Sequence, residues 1–237
     1  MLKKVMARGV LVCAALLMCA TIANAQSSDR ARQTVNFTLG YFTPLALDAR
    51  DDDDVLLENS TFLLFDVDDF NGASVGGEWL FPLGRIVEGG IGVSYSSQSV
   101  HSVYLDFVDP DGTEVDQELT LRMVPVAFTV RLVPTGHSSP VQPYIGAGLG
   151  IINWRYAESG EFIDFGAGRV IFRDTFVESG SNVGPVVVGG IRFAGDSVSG
   201  GFEIKYQKAT GDLNENFAAP QIDLGGWTYN FTVGVRF

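Results

Sequence analysis

Cysteine, histidine and positive charge are all scarce in this sequence, and each scarcity removes a class of function. The only cysteines among the 237 residues are Cys13 and Cys19. Both lie in the opening segment MLKKVMARGVLVCAALLMCATIANA. Lys3, Lys4 and Arg8 precede an apolar run from Val10 to Ala20, and Ala23-Asn24-Ala25 is a small-residue cleavage site before Gln26. Residues 1–25 are therefore expected to be a secretory signal peptide. Its removal leaves a chain without cysteine, which excludes disulfides, metal–thiolate sites and a cysteine nucleophile. The signal takes three of the 16 basic residues and none of the 28 acidic ones, so the net charge moves from −12 to −15. Nucleic acid is excluded as a partner, because a phosphate backbone needs a basic face.

Two further features are missing. No second apolar run approaches the roughly 20 residues that a membrane helix needs, and no segment shows a convincing amphipathic helical period. Yet 46% of the residues are hydrophobic, too many for a disordered chain. The apolar residues must be spread in short pieces, and they are spread with period two.

The last eleven residues show this most clearly. Trp227, Tyr229, Phe231, Val233, Val235 and Phe237 share one face, with Thr228, Asn230, Thr232, Gly234 and Arg236 on the other. Alternation also marks strands at 34–42, 73–81, 87–97, 115–133, 142–156, 183–193 and 200–208. The third of these can run on through Tyr104. Within 115–133 the apolar parity changes near Pro125, from Leu119 and Leu121 to Val124, Val126, Phe128, Val130 and Leu132. That change points to a β-bulge.

Eight strands result, joined by three short connections (82–86, 134–141, 194–199) and four long ones (43–72, about 98–113, 157–182, 209–225). Short turns at one end and long loops at the other are the mark of an antiparallel up-and-down transmembrane β-barrel. One barrel domain over 26–237 accounts for the chain after the signal. The faces opposite the apolar ones hold Glu78, Glu88, Arg131, Arg192, Glu203, Lys205 and Arg236. Charges of both signs suit an enclosed polar lumen, so these seven are the candidate lumen charges. Tyr41, Phe42, Trp79, Phe81, Tyr144, Trp154, Tyr156, Trp227 and Tyr229 sit near strand ends, where a membrane barrel carries interfacial aromatic girdles.

The ending from Trp227 to Phe237 resembles the C-terminal signal of bacterial outer-membrane barrels. The stretch Pro143-Tyr144-Ile145-Gly146-Ala147-Gly148-Leu149-Gly150 is similar to a strand of the OmpA-like, OmpW-like and opacity-type small barrels. The resemblance spans residues 34–237. It implies an integral protein of the cell outer membrane with both termini periplasmic, with outer-membrane lipid and lipopolysaccharide around it. It also implies assembly machinery that recognises Trp227, Tyr229, Phe231, Val233, Val235 and Phe237. The surface partner is unknown.

The sequence offers little catalytic chemistry. Its two histidines are His101 and His137. His101 and Ser102 are adjacent, so a strand turns them to opposite faces. His137 and Ser139 fall in the turn between Pro134 and Pro140. The acidic stretch of Asp48, Asp51, Asp52, Asp53, Asp54, Glu58, Asp66, Asp68 and Asp69 offers hard-cation oxygens. However, Asp66-Val67-Asp68-Asp69-Phe70-Asn71-Gly72 fails an EF-hand pattern at its fifth and sixth positions. A solvated, self-repelling loop is the better expectation. No cofactor or resident metal is implied. The expected function is therefore a non-enzymatic surface barrel with a structural or contact role, acting through its long acidic loops, chiefly 43–72 and 157–182. The alternatives are a narrow channel for small apolar molecules, with the inward glycines 90, 92, 146, 148, 150, 190 and 234 widening the bore, and a lipid-modifying enzyme.

Overall fold

The computed structural model describes residues 32–108, 111–164 and 168–237. The signal-peptide assignment lies outside them. Eleven strands form: β1 (Thr34–Pro44), β2 (Leu63–Leu64), β3 (Gly72–Pro82), β4 (Val87–Val108), β5 (Glu114–Leu132), β6 (Val141–Asp164), β7 (Val170–Ala194), β8 (Val198–Gln207), β9 (Thr210–Asp212), β10 (Gln221–Asp223) and β11 (Gly226–Arg236). Eight of them hydrogen-bond in the ring β1-β3-β4-β5-β6-β7-β8-β11, which closes where β1 pairs with β11. Every pairing in the ring is antiparallel. Closure leaves the ring no free edge along the stretch that all eight strands share.

The strands are unequal. β1, β3 and β11 have 11 residues and β8 has 10, whereas β4 to β7 have 19 to 25. All eight meet at the rim with the tight turns, so β4–β7 project beyond the others at the opposite end. The expected long connections at 98–113 and 157–182 are therefore mostly strand, since β4 runs to Val108 and β5 starts at Glu114, while β6 runs to Asp164 and β7 starts at Val170. The sequence hid this because the apolar residues of these projections are on the other parity.

That reversal is a property of the whole half-ring. On β5 the odd-numbered side chains face inward from Val115 to Arg131 without a break, and the register with β6 is constant from Gln117–Gly160 to Leu132–Ile145. The register with β4 is likewise the same on both sides of Pro125. No bulge sits there; the irregularity in this ladder falls between Val103 and Val108. What changes at Pro125 is which face is apolar. Toward the turns, Val126, Phe128, Val130 and Leu132 point out, as does Val124 just across Pro125, while Thr129 and Arg131 point in. Beyond Pro125, Leu119, Leu121 and Met123 point in while Glu118, Thr120 and Arg122 point out. β6 changes at the same level, from outward Leu149 and Ile151 to outward Asn153 and Arg155.

The outward apolar residues form a continuous belt. The row Val75, Leu39, Phe231, Phe202, Ile191, Pro143 crosses six strands, and Phe231 and Val233 are each 67% exposed. Eleven outward-and-inward positions, Val141 to Ile151 on β6, span about 25 Å along the barrel axis at the usual rise and tilt. Tyr41, Tyr95, Tyr206, Trp227 and Tyr229 edge the belt above, and Trp79, Phe81, Phe193 and Phe237 edge it below. Four residues expected in these girdles turn inward instead. Phe42, Tyr144, Trp154 and Tyr156 are all buried, because each sits on the inward parity of its strand.

The projecting half-ring encloses its own apolar core. Val100, Leu119, Leu121, Met123, Ile152, Trp154 and Tyr156 face residues of two connecting segments: Val55, Leu56, Leu63, Val67 and Phe70 from one, and Leu213, Phe217, Ile222 and Leu224 from the other. The acidic stretch is thus not a solvated loop. It folds inward as a plug, with its remaining acids on the surface. Helix α1 (Val55–Asn59) starts at Asp54, whose carboxylate accepts hydrogen bonds from the Leu56 and Leu57 amides. The same carboxylate receives Arg50 Nη1 at 2.9 Å and the Asp223 amide at 2.6 Å. One buried anion therefore ties both segments together. Asp54→Ala leaves the buried Arg50 uncompensated, which typically costs about 3–5 kcal/mol. Hydrogen exchange should rise across 45–71 and 209–224, while β1 and β11 stay protected.

Candidate functional site

The bore at belt level is the place to look for a conduit, and it is filled. Arg131 on β5 pairs with Glu78 on β3 and, at 2.9 Å, with Glu203 on β8. Its guanidinium lies 4.9 Å from the centre of the Tyr144 ring. Tyr144 donates its hydroxyl to Glu203 at 3.1 Å, and Asn230 donates to the other Glu203 oxygen at 3.3 Å. Nearer the turns, Arg192 pairs with Glu88 at 2.8 Å and donates from Nε to Gln142. Lys205 donates to Ser94 Oγ at 3.3 Å. Three carboxylates and three basic side chains thus share the lumen, and their formal charges cancel. Arg131, Glu88, Arg192 and Glu203 are each under 5% exposed. The seventh candidate, Arg236, is not a lumen charge. It lies at the turn rim and donates to the Gly195 and His137 carbonyls.

Two of the inward glycines, Gly146 and Gly190, make room for this layer. A Cβ on Gly146 would stand 2.7 Å from Arg131 Cγ, and one on Gly190 would stand 2.6 Å from the Tyr144 hydroxyl. Small residues at these points let two large side chains lie across the bore.

Above it sits the plug, with a second polar cluster inside its apolar core. Glu158 on β6 accepts from Asn59 Nδ2 at 2.7 Å and from the Tyr156 hydroxyl at 2.8 Å. Burial pushes the Glu158 carboxyl above its usual range, against the opposing effect of those two hydrogen bonds. Burial also raises Asp223, partly offset by the Gly225 amide and Arg50. These residues were not visible as a site in the sequence. The one available signal was Val55-Leu56-Leu57 and Phe62-Leu63-Leu64-Phe65 amid the acids, which a solvated loop has no use for.

The possible catalytic pairs do not assemble. His101 is exposed on the outer face while Ser102 is buried and donates to the Gln117 carbonyl. His137 lies 3.6 Å from Glu88, and Ser139 donates to the Val141 carbonyl. Among the described residues no group of three or more histidines or carboxylates is placed to hold a metal ion. The terminal residues Trp227, Tyr229, Phe231, Val233, Val235 and Phe237 all face outward in the belt, on the strand next to ring closure.

No family model and no curated protein matches the sequence. Several solved barrels are similar in structure. The N-terminal β-barrel domain of Pseudomonas aeruginosa OprF is 11% identical, covering 86% of this chain and 97% of that one with a TM-score of 0.42. Ail, the attachment invasion locus protein of Yersinia pestis, is 12% identical over 87% and 97%, with a TM-score of 0.40. The E. coli outer membrane protein W is 12% identical over 89% and 100%, also with a TM-score of 0.40.

Two measurements follow from the polar clusters. Arg131→Met strands Glu78 and Glu203 in the bore, and urea unfolding should show a loss of roughly 3–5 kcal/mol. Glu158 behaves differently. Its folded pKa lies above its unfolded one, so its contribution is complete below the ordinary carboxylate range and is lost as pH rises through the raised value. Hydrogen exchange in 45–71 should therefore quicken with rising pH beyond the intrinsic chemical increase. Glu158→Gln, which keeps a hydrogen-bonding side chain without the charge, should remove that excess.

Proposed function

We propose that this chain is a non-enzymatic integral barrel of a bacterial outer membrane, and that its role is structural and surface contact. The concerted inversion of faces carries this reading. Neighbouring strands exchange an apolar exterior and polar interior for the reverse at one common level. A single solvent on both sides of the ring gives no reason for that exchange. A lipid layer around one half and water around the other does. In lipid, the closed ring satisfies every backbone group, which is what a spanning structure requires.

The contact surface is the part above the belt. It comprises the outward polar face of β4–β7 and the exposed acids of 48–69. The plug holds this platform rigid, so recognition falls on a fixed surface rather than on mobile loops. The channel reading loses support, because both the neutral charge layer and the plug obstruct the axis. Lipopolysaccharide and outer-membrane lipid are the proposed surroundings, and the outer-membrane assembly machinery is the proposed reader of the Trp227–Phe237 strand.

The barrel should migrate differently on gels before and after boiling, and it should give no steps of conductance in planar bilayers. Steady conductance would return the channel reading. A chain that stays monomeric in water without detergent would remove the membrane reading altogether. Replacing the β6–β7 tip, residues 159–175, by a short turn should leave heat-modifiable migration intact while abolishing any surface binding that depends on it.

A further inference from the structure

We infer that Arg122 and Arg155 form a binding site for a phosphate group carried by a lipid of the outer leaflet. The inference rests on the membrane placement proposed above. The two arginines are direct cross-strand partners on β5 and β6. Both point outward, with Arg122 exposed and Arg155 partly so. Neither has an ion-pair or hydrogen-bond partner among the described residues. Like charges directly opposite each other on a sheet are destabilising, so the pair calls for an anion that the chain does not supply.

The rest of the acidic exterior makes this pair distinctive. Arg50 is buried against Asp54, Arg173 is paired with Glu161 at 2.9 Å, and Arg169 lies over the Phe107 ring. Among the described residues, Arg122 and Arg155 alone stand side by side without a carboxylate. Their row continues as Ser97 on β4 and Ser179 on β7. Ser99 and Thr120 lie in the next row up, with their hydroxyls 2.8 Å apart. Two guanidiniums flanked by hydroxyls match a phosphate attached to a polar or sugar headgroup, since arginine recognises phosphate bidentately.

Their height fits a lipid-borne source. The row Val93, Val126, Ile151, Val183 is wholly apolar and belongs to the belt. Arg155 is four residues beyond Ile151, about 13 Å along the strand and about 10 Å along the axis for a typical tilt. The headgroup layer is about 5–7 Å deep on each side of the hydrocarbon, and an arginine side chain can reach several ångströms back toward it. The pair therefore sits where lipid phosphates lie, and the acidic platform above repels anions arriving from bulk water.

The test titrates the folded mature barrel in detergent with lipid A carrying its phosphates, with lipid A stripped of them, and with inorganic phosphate. Bound species are read by native mass spectrometry. The phosphorylated lipid should bind most tightly. Arg122→Gln with Arg155→Gln should weaken it by about a hundredfold, near tenfold for each charge-assisted contact, and Arg122→Lys with Arg155→Lys should recover part of the loss. Equal binding of the stripped lipid, or no effect of the double glutamine variant, would overturn the site. Inorganic phosphate binding as tightly as the lipid would replace the lipid with a free anion and overturn the proposed source. Heat-modifiable migration, run in parallel, separates the two levels. If the barrel folds and the arginines do not matter, only this inference falls. If the wild-type chain forms no membrane barrel, the inference falls with the reading beneath it.

Discussion

A backbone that crosses hydrocarbon must find all its hydrogen-bond partners within the protein. The ring of eight strands meets that demand by closing β1 onto β11, and the rest of the architecture follows from it. A closed ring has an inside, and an inside of eight strands is narrow enough for side chains to fill. The filling chosen here is a neutral set of three acids and three bases, with glycines placed where Arg131 and Tyr144 must lie across the bore. A buried ion layer of this kind gives limited stability for its cost in desolvation. Its geometric effect is clearer: Arg131 ties β3, β5 and β8 together across the bore, and Arg192 ties β4 to β7.

Above the belt the same strands solve the opposite problem. Only four of them continue, so the half-ring cannot close on itself. Two connecting segments complete it, and the apolar residues change sides to bury against them. The plug is in this sense an ordinary hydrophobic core, built between a curved sheet and the segments that cover it. Asp54 is its central polar contact, capping a helix, neutralising Arg50 and accepting the Asp223 amide at once. The outward face is left mostly polar, with Leu105 and Val177 exposed on it, and among the described residues Arg122 and Arg155 are the two cations that stand there as cross-strand partners without a paired acid.

The ring and the belt were legible because their signal is local. Alternation along β11 or β6 names a strand and a face without reference to anything else. By the same parity Glu78, Glu88, Arg131, Arg192, Glu203 and Lys205 face the bore, whereas Arg236 lies at the rim, where the last inward position of β11 falls. The projections were not legible for a related reason. A search for outward apolar residues stops where the apolar face turns inward, so 157–164 reads as loop, and 98–113 reads as a connection into which the strand from 87 runs no farther than Tyr104. The parity change at Pro125 was visible but has two physical origins. One is an added residue that rotates the strand; the other is a change of solvent around an unrotated strand. Only the unbroken ladder to β6 distinguishes them. The plug was hidden by its acids. Asp51 to Asp54 look like a repelling run, and nothing local says that the fourth of them is buried on an arginine four residues back.

The central claim is that the outside of one continuous strand passes from lipid to water between Ile151 and Arg155. Residues 26–237 contain no cysteine, which suits a direct measurement. Single nitroxide labels placed in turn at Leu149, Ile151, Asn153 and Arg155 of the barrel in bilayers would report collision rates with oxygen and with a water-soluble nickel complex. The account predicts oxygen-dominated collisions at Leu149 and Ile151, a crossover at Asn153, and nickel-dominated collisions at Arg155. Equal nickel access at all four positions would contradict it.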